Sequence, residues 1–170
     1  ANIIALGRSQ SALETLDDDL VKYNCNVSLV PFDLMQFDLI KDMEQKLSER
    51  IDHLDVLFLN AAAFGSLTPI THITEAEWNE TFAVNLTSNV ILLKLFDPYL
   101  KKANQSQVLI TTTEIINQKK PFWGLYSASK AALEQIAYSY AEETQNTNIK
   151  VNLIDPGIVN TKLRLKAYPG

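Results

Sequence analysis

The sequence predicts an α/β fold, a doubly wound and mostly parallel sheet flanked by helices. Three observations predict it. Short, nearly continuous apolar runs recur at 2–6, 26–32, 55–60, 107–112 and 149–154. Amphipathic segments of helical period separate them. Strands that are apolar on both sides need cover on both faces, which is the habit of parallel sheets in chains that alternate strand and helix. With 170 residues, 46% of them apolar and 21% charged, the chain has the composition of one globular domain. No repeat, low-complexity stretch or linker divides residues 1–170.

In chain order, Ile3-Ile4-Ala5-Leu6 reads as a buried strand. Ser9 is placed to cap a helix that runs to about residue 23, with Leu13, Leu16 and Leu20 on one face. Asp17-Asp18-Asp19 falls inside it. Consecutive residues fan around a helix, so these three make a solvated turn and not a metal site. The second strand, 26–32, precedes a helix over 36–50, and the third strand is Asp-Val-Leu-Phe-Leu-Asn at 55–60. Thr74-Glu75-Ala76-Glu77 spells a capping box that opens a long helix towards Lys102. A fourth strand, a helix over 125–145 and a fifth strand complete the pattern.

A net charge of −5 repels phosphate backbones, so nucleic acid is not an expected partner. No apolar run approaches the roughly 18 residues a membrane helix needs, so no membrane partner is expected. The lone Cys25, without basic neighbours, suits a reducing, cytoplasmic setting. His53 and His72 lack acidic or cysteine partners at ligand spacing, and no metal is expected. The five glycines (Gly7, Gly65, Gly124, Gly157 and Gly170) are all isolated, so no glycine-rich phosphate loop can be written from them. An apolar strand directly after Ala1 and an ending at Tyr168-Pro169-Gly170 suggest that material is missing at both ends.

The residues with chemistry cluster at strand ends. Tyr126 and Lys130 are four apart and share one helical face. An ammonium beside a phenol favours the phenolate, and a tyrosine tuned in this way can exchange a proton with a carbonyl or alcohol oxygen. Thr113, thirteen residues earlier, ends the fourth strand. Asn60-Ala61-Ala62 ends the third, Asp155-Pro156-Gly157 ends the fifth, and Asn85 lies in the long helix. Ligands of doubly wound sheets bind beyond the carboxyl ends of the strands. Phe122 and Trp123, just before the tyrosine, suit either a pocket wall or loop packing.

Tyr126-Ser127-Ala128-Ser129-Lys130-Ala131-Ala132-Leu133, with Thr113, Asn85 and the strand-end motifs at their spacings, resembles the short-chain dehydrogenase/reductase family over essentially the whole chain. The resemblance implies a Rossmann-like fold and an oxidoreductase that moves a hydride between NADP(H) and a carbonyl or secondary alcohol. Tyr126 would be the general acid/base. Lys130 would hold the cofactor ribose and depress the Tyr126 pKa. Thr113, where the family has serine, would polarise the substrate oxygen. Asn85 would hold a relay water. Cofactor contacts would fall at Arg8, Asp33, Leu34, Asn60, Ala61, Ala62, Pro156, Gly157 and Thr161. Arg8 suits a 2′-phosphate, which favours NADP over NAD. The family also implies a homo-oligomer through the long helices, whose stripe here includes Leu86, Val90 and Leu93.

Three departures shape a second expectation. Thr113 adds a methyl that restricts its rotamers. Ala62 stands where the family has glycine in a turn close to the ligand. The family's first strand, glycine-rich turn and first helix, which present N–H groups to the pyrophosphate, do not precede Ala1 in this sequence. The alternative to an enzyme is therefore a truncated, inactive remnant that folds, self-associates and binds cofactor poorly.

Overall fold

A computed structural model describes residues 1–168, with the backbone alone at residues 41 and 44. β1 (Asn2–Gly7) and β2 (Asn26–Pro31) pair in parallel, with Asn2 opposite Asn26 and Gly7 opposite Pro31. α1 (Gln10–Val21) connects them, and the Ser9 hydroxyl caps it by accepting from Ala12 N at 3.3 Å. α2 (Phe37–Ser48) leads to a second sheet of β3 (Val56–Leu59), β4 (Ser106–Thr111) and β5 (Ile149–Ile154), ordered β3-β4-β5 and parallel throughout. All five expected strands form, and none is antiparallel. No ladder joins β1 to β3. The doubly wound order 3-2-1-4-5-6 has one strand between those two positions.

Both sheets contribute to one core. Leu59 of β3, Val108 and Ile110 of β4 and Ile149 of β5 pack with Ile40, Met43 and Leu47 of α2. Ile4 and Leu6 of β1 and Val30 of β2 join the same cluster from the other sheet. α4 (Ser88–Lys102) and α5 (Gly124–Glu143) close it through Leu92, Phe96, Leu100, Leu133 and Ala137. The opposite face differs from expectation. There α1 lies over β1 and β2, with Leu13 buried against Gly7, whereas Val56 and Phe58 of β3 are 48% and 55% exposed. Apolar content alone did not reveal that only one face of β3 is covered.

The long helix after Thr74 is also not uniform. The capping box forms as expected: Thr74 Oγ1 accepts from Glu77 N at 3.2 Å, and Glu77 Oε2 accepts from Thr74 N at 3.3 Å. α3 (Glu75–Phe82) then passes through a π turn at Ala83–Thr87 before α4 begins. Such turns displace the i→i−4 ladder and favour functional positions. Side chains occupy the disturbed carbonyls. Ser88 Oγ donates to Val84 O at 2.8 Å, and Asn89 Nδ2 donates to Val84 O at 3.2 Å and Asn85 O at 2.8 Å. α5 is held to α4 by Tyr140 Oη, which donates to Asp97 Oδ1 at 2.9 Å. A short helix, α6 (Lys162–Ala167), follows β5 and was not expected from the sequence.

Candidate active site

The carboxyl ends of β3, β4 and β5 are tied together by the first two of three successive threonines. Thr111 Oγ1 donates to Asn60 Oδ1 at 2.8 Å, across to the end of β3. Thr112 N donates to Ile154 O at 2.9 Å, extending the ladder to β5, and its hydroxyl donates to Glu134 on α5. Thr113 leaves the strand in extended conformation and caps a 3₁₀ turn, accepting from Ile115 N at 3.4 Å. Asp155 completes the lacing: its carboxylate accepts from Glu114 N at 2.6 Å and from Gly157 N at 2.8 Å.

α5 places Tyr126 and Lys130 against this edge. Tyr126 is 9% exposed and sits among Phe64, Ile115 and Trp123, with ring centroids 5.2 Å from Phe64 and 6.3 Å from Trp123. Its hydroxyl makes no hydrogen bond to protein among the described residues. Lys130 is 2% exposed, and its Nζ donates to Thr111 O at 2.5 Å. Burial pushes the Lys130 ammonium down to about 8, opposed by the nearby Glu134 carboxylate. The expected depression of the Tyr126 phenol is corrected: burial raises it, and the Asp155 charge raises it further. The lysine charge is engaged at the Thr111 carbonyl, so the phenol answers to desolvation and to a carboxylate instead.

Asn85 lies in the π turn and is wholly buried. Its Oδ1 accepts from Ala63 N at 2.7 Å, and its Nδ2 donates to Ala63 O at 2.9 Å and to Ser129 Oγ at 2.8 Å. Ser129 Oγ in turn donates to Tyr126 O at 2.8 Å. One amide therefore joins the loop after β3, the π turn and the second turn of α5. The loop then bends at Gly65, whose φ is +71°. A Cβ there would come within 2.9 Å of Leu125 Cδ2 and 3.1 Å of Thr81 Oγ1, so both backbone and space require glycine.

The remaining candidates divide into two groups. Asn60 is held by Thr111, and Ala61 and Ala62 run on into the Asn85-bound Ala63. Pro156 and Gly157 follow Asp155 in an exposed turn, with Gly157 at φ +67°. Thr161 caps α6, accepting from Arg164 N at 3.1 Å, and α6 rests on the Tyr126 cluster through Leu163 and Ala167. These lie with the second sheet. Arg8, Asp33 and Leu34 lie at the ends of β1 and β2. Arg8 is exposed. Asp33 closes a local turn by accepting from Met35 N at 3.0 Å, and Leu34 packs on the core. Phe122 is 53% exposed at φ +71°, while Trp123 packs beside Tyr126.

Sequence reasoning missed Thr111, Thr112, Glu134, Ala63, Ser129 and Asp155 as members of the network. Glu134, one turn beyond Lys130 on the same face, was the one with a readable signal.

Comparison with known proteins gives the family and the fold. The sequence matches the short chain dehydrogenase family over residues 1–169. It is 28% identical over 175 residues to "Uncharacterized oxidoreductase YciK" of Escherichia coli (strain K12), covering 99% of this chain and 68% of that protein. It is 35% identical over 134 residues to dehydrogenase/reductase SDR family member 6 of Aquarana catesbeiana, covering 76% of this chain and 54% of that protein. The fold superimposes on a short chain dehydrogenase from Salmonella enterica serovar Typhi with a TM-score of 0.89 at 24% identity, covering 98% of this chain and 70% of the other. A metagenomic short-chain oxidoreductase in complex with NADP aligns at a TM-score of 0.84 and 26% identity, over 95% of this chain and 73% of the other. The chain belongs to the short chain dehydrogenase family. It spans about two thirds of YciK and just over half of the Aquarana protein. No helix among the described residues is long and apolar enough to cross a membrane.

Proposed function

We propose that this chain carries the proton-transfer half of an NADP(H)-dependent oxidoreductase acting on a carbonyl or secondary alcohol. The observation that carries the reading is the pairing of a buried Tyr126, its hydroxyl without a protein partner, with a buried Lys130 one turn on. Bound nicotinamide would supply the hydride. Tyr126 would give its proton to the carbonyl oxygen during reduction; burial and the Asp155 charge raise its phenol in the free chain, which keeps the proton in place but opposes its transfer. Thr113 and Asn85 would act at the substrate oxygen and in proton relay. Lys130 has two N–H donors beyond the one given to Thr111, enough for ribose hydroxyls. Arg8 at the exposed start of α1 suits a 2′-phosphate, with Asp33, Leu34 and Asn60-Ala61-Ala62 along the adenosine and Pro156, Gly157 and Thr161 near the nicotinamide. The described residues provide no glycine-rich turn for the pyrophosphate. The NADP held by the metagenomic relative supports the choice of cofactor.

Self-association through α4 and α5 belongs to the same reading: Val90 and Tyr138 on those helices are 40% and 54% exposed, while Leu93 is taken up by the core. The second reading, a chain that folds and self-associates but holds cofactor weakly, is favoured by the unpaired β1 and β3 edges and the bare Val56 and Phe58. Fluorescence titration with NADPH, followed by turnover on a carbonyl panel, separates the two. Under the first reading, Tyr126→Phe lowers turnover by about 10²-fold or more and leaves NADPH affinity nearly unchanged. Wild-type turnover in Tyr126→Phe rejects it, and absence of NADPH binding selects the second reading.

A further inference from the structure

We propose that Glu134 is a positioning residue for the Tyr126–Lys130 pair, clamping α5 to the end of β4 and supplying the negative charge that faces Lys130. The inference rests on the reading of that pair as the proton-transfer site. Tyr126, Lys130 and Glu134 follow one another at four-residue steps, a single stripe along α5. Two successive residues of the β4 end take the last two members of that stripe: the Thr111 carbonyl accepts from Lys130, and the Thr112 hydroxyl donates to Glu134. Thr112 N is bonded to Ile154 O at the same place, so Glu134 grips the point where β4 and β5 meet under the helix. The helix is thereby held against the strand end that also carries Thr113.

The electrostatics agree with the geometry. A lysine 2% exposed has lost most of its water, and one carbonyl dipole replaces little of it. Acting on Lys130 are Glu134 from α5 and the Thr111 carbonyl from β4, while Asn85 bonds to the helix through Ser129. Asp155, from the end of β5, acts on Tyr126. Glu134 is thus the carboxylate that acts on Lys130, working against the burial that lowers it to about 8.

The test is an NMR titration of the full chain that follows Lys130 Cε and Glu134 Cδ, which needs neither cofactor nor turnover. In the wild type, the Glu134 signal should show a second inflection at the Lys130 midpoint, and its absence overturns the proposal. Glu134→Gln keeps an acceptor for Thr112 and removes the charge. It should move the Lys130 midpoint down by roughly half a unit to one unit, and an unmoved midpoint overturns the charge role. Thr112→Val keeps the charge and removes the clamp. It should leave the midpoint within about 0.3 unit while amide exchange rises at the start of α5, and unchanged exchange overturns the clamp. The wild-type inflection decides the charge role even if a variant does not fold. Failure of NADPH binding or turnover would sink the oxidoreductase reading and leave these midpoints as they are.

Discussion

The β3-β4-β5 sheet and the β1-β2 pair are built to different standards. Around the first, polar side chains are bonded across distance, some of them buried and some at the rim: Asn85 to Ala63 and Ser129 and Lys130 to Thr111 inside, Thr112 to Glu134 half-buried, Asp155 to Glu114 exposed. Around the second, the polar contacts are local caps and turns, such as Ser9 to Ala12 and Asp33 to Met35, and Arg8 stands exposed. A buried polar group without a partner costs far more than a partnered one returns, so the bonds of Asn85, Ser129 and Lys130 must be right. The second can vary with little effect on folding. Proton chemistry needs fixed geometry, whereas recognition of an exposed phosphate needs mainly a charge in reach. Under the proposed function, the two regions would divide accordingly.

The largest blow to this contrast comes at Asn85. Asn85→Ala removes three hydrogen bonds and strands Ala63 N and O in a half-buried place. Denaturant unfolding should show a loss of about 2–4 kcal/mol. A loss below about 1 kcal/mol would mean that water replaces the amide freely, and that the β3-β4-β5 region is no more exacting than the β1-β2 pair.

The sequence exposed the two regions unevenly, and the reason is distance along the chain. Tyr126 and Lys130 are legible because a helix converts a four-residue step into a shared face. The capping box at Thr74 and the parallel strands are legible for the same local reason. Partnerships such as Ala63 with Asn85, 22 residues apart, or Glu114 with Asp155, 41 apart, leave no periodic trace. They follow only once the strands are in register. The exposure of Phe58 was hidden because an apolar run states what a strand could bury and not which neighbours arrive. The six-residue α6 is too short for periodicity to declare, and Thr161, assigned to the nicotinamide, is in the structure its cap. The phenol's direction of shift failed for a related reason. Spacing placed a cation near Tyr126, but the Thr111 carbonyl that engages it and the Asp155 carboxylate that opposes it lie on other elements.

A middle-sized effect sharpens the comparison at Lys130. Its ammonium is held at about 8, below the 10.5 of an exposed lysine. Between those values the unfolded chain binds more protons than the folded one, so stability rises with pH across that window. Below about 8 the full cost of burying the charge is present, and by about 10.5 it is relieved. Lys130→Met should therefore stabilise the chain by about 1–3 kcal/mol at pH 7. The advantage should shrink as the pH approaches 10.5. A pH-independent difference in thermal or urea unfolding would show that the lysine is not buried as a charge. The variant should fold better and lose the Tyr126–Lys130 pair on which the proposed function rests.

The smallest effect on folding belongs to Arg8, and it tests the exposed region alone. Arg8 is exposed, and no ion pair to it is found among the described residues. Arg8→Ala should change unfolding free energy by less than about 0.5 kcal/mol. If the 2′-phosphate reading holds, the same change should weaken NADPH by about 10-fold and leave NADH nearly untouched, because only NADPH offers the dianion that a guanidinium grips. Raising the salt concentration should shrink the NADPH preference of the wild type, since an exposed pair is screened. An equal loss for both nucleotides would place Arg8 on a part of the cofactor they share. A marked drop in stability would show that the β1-β2 region depends on its surface charges more than its local bonding implies, and the division between the two regions would then be drawn in the wrong place.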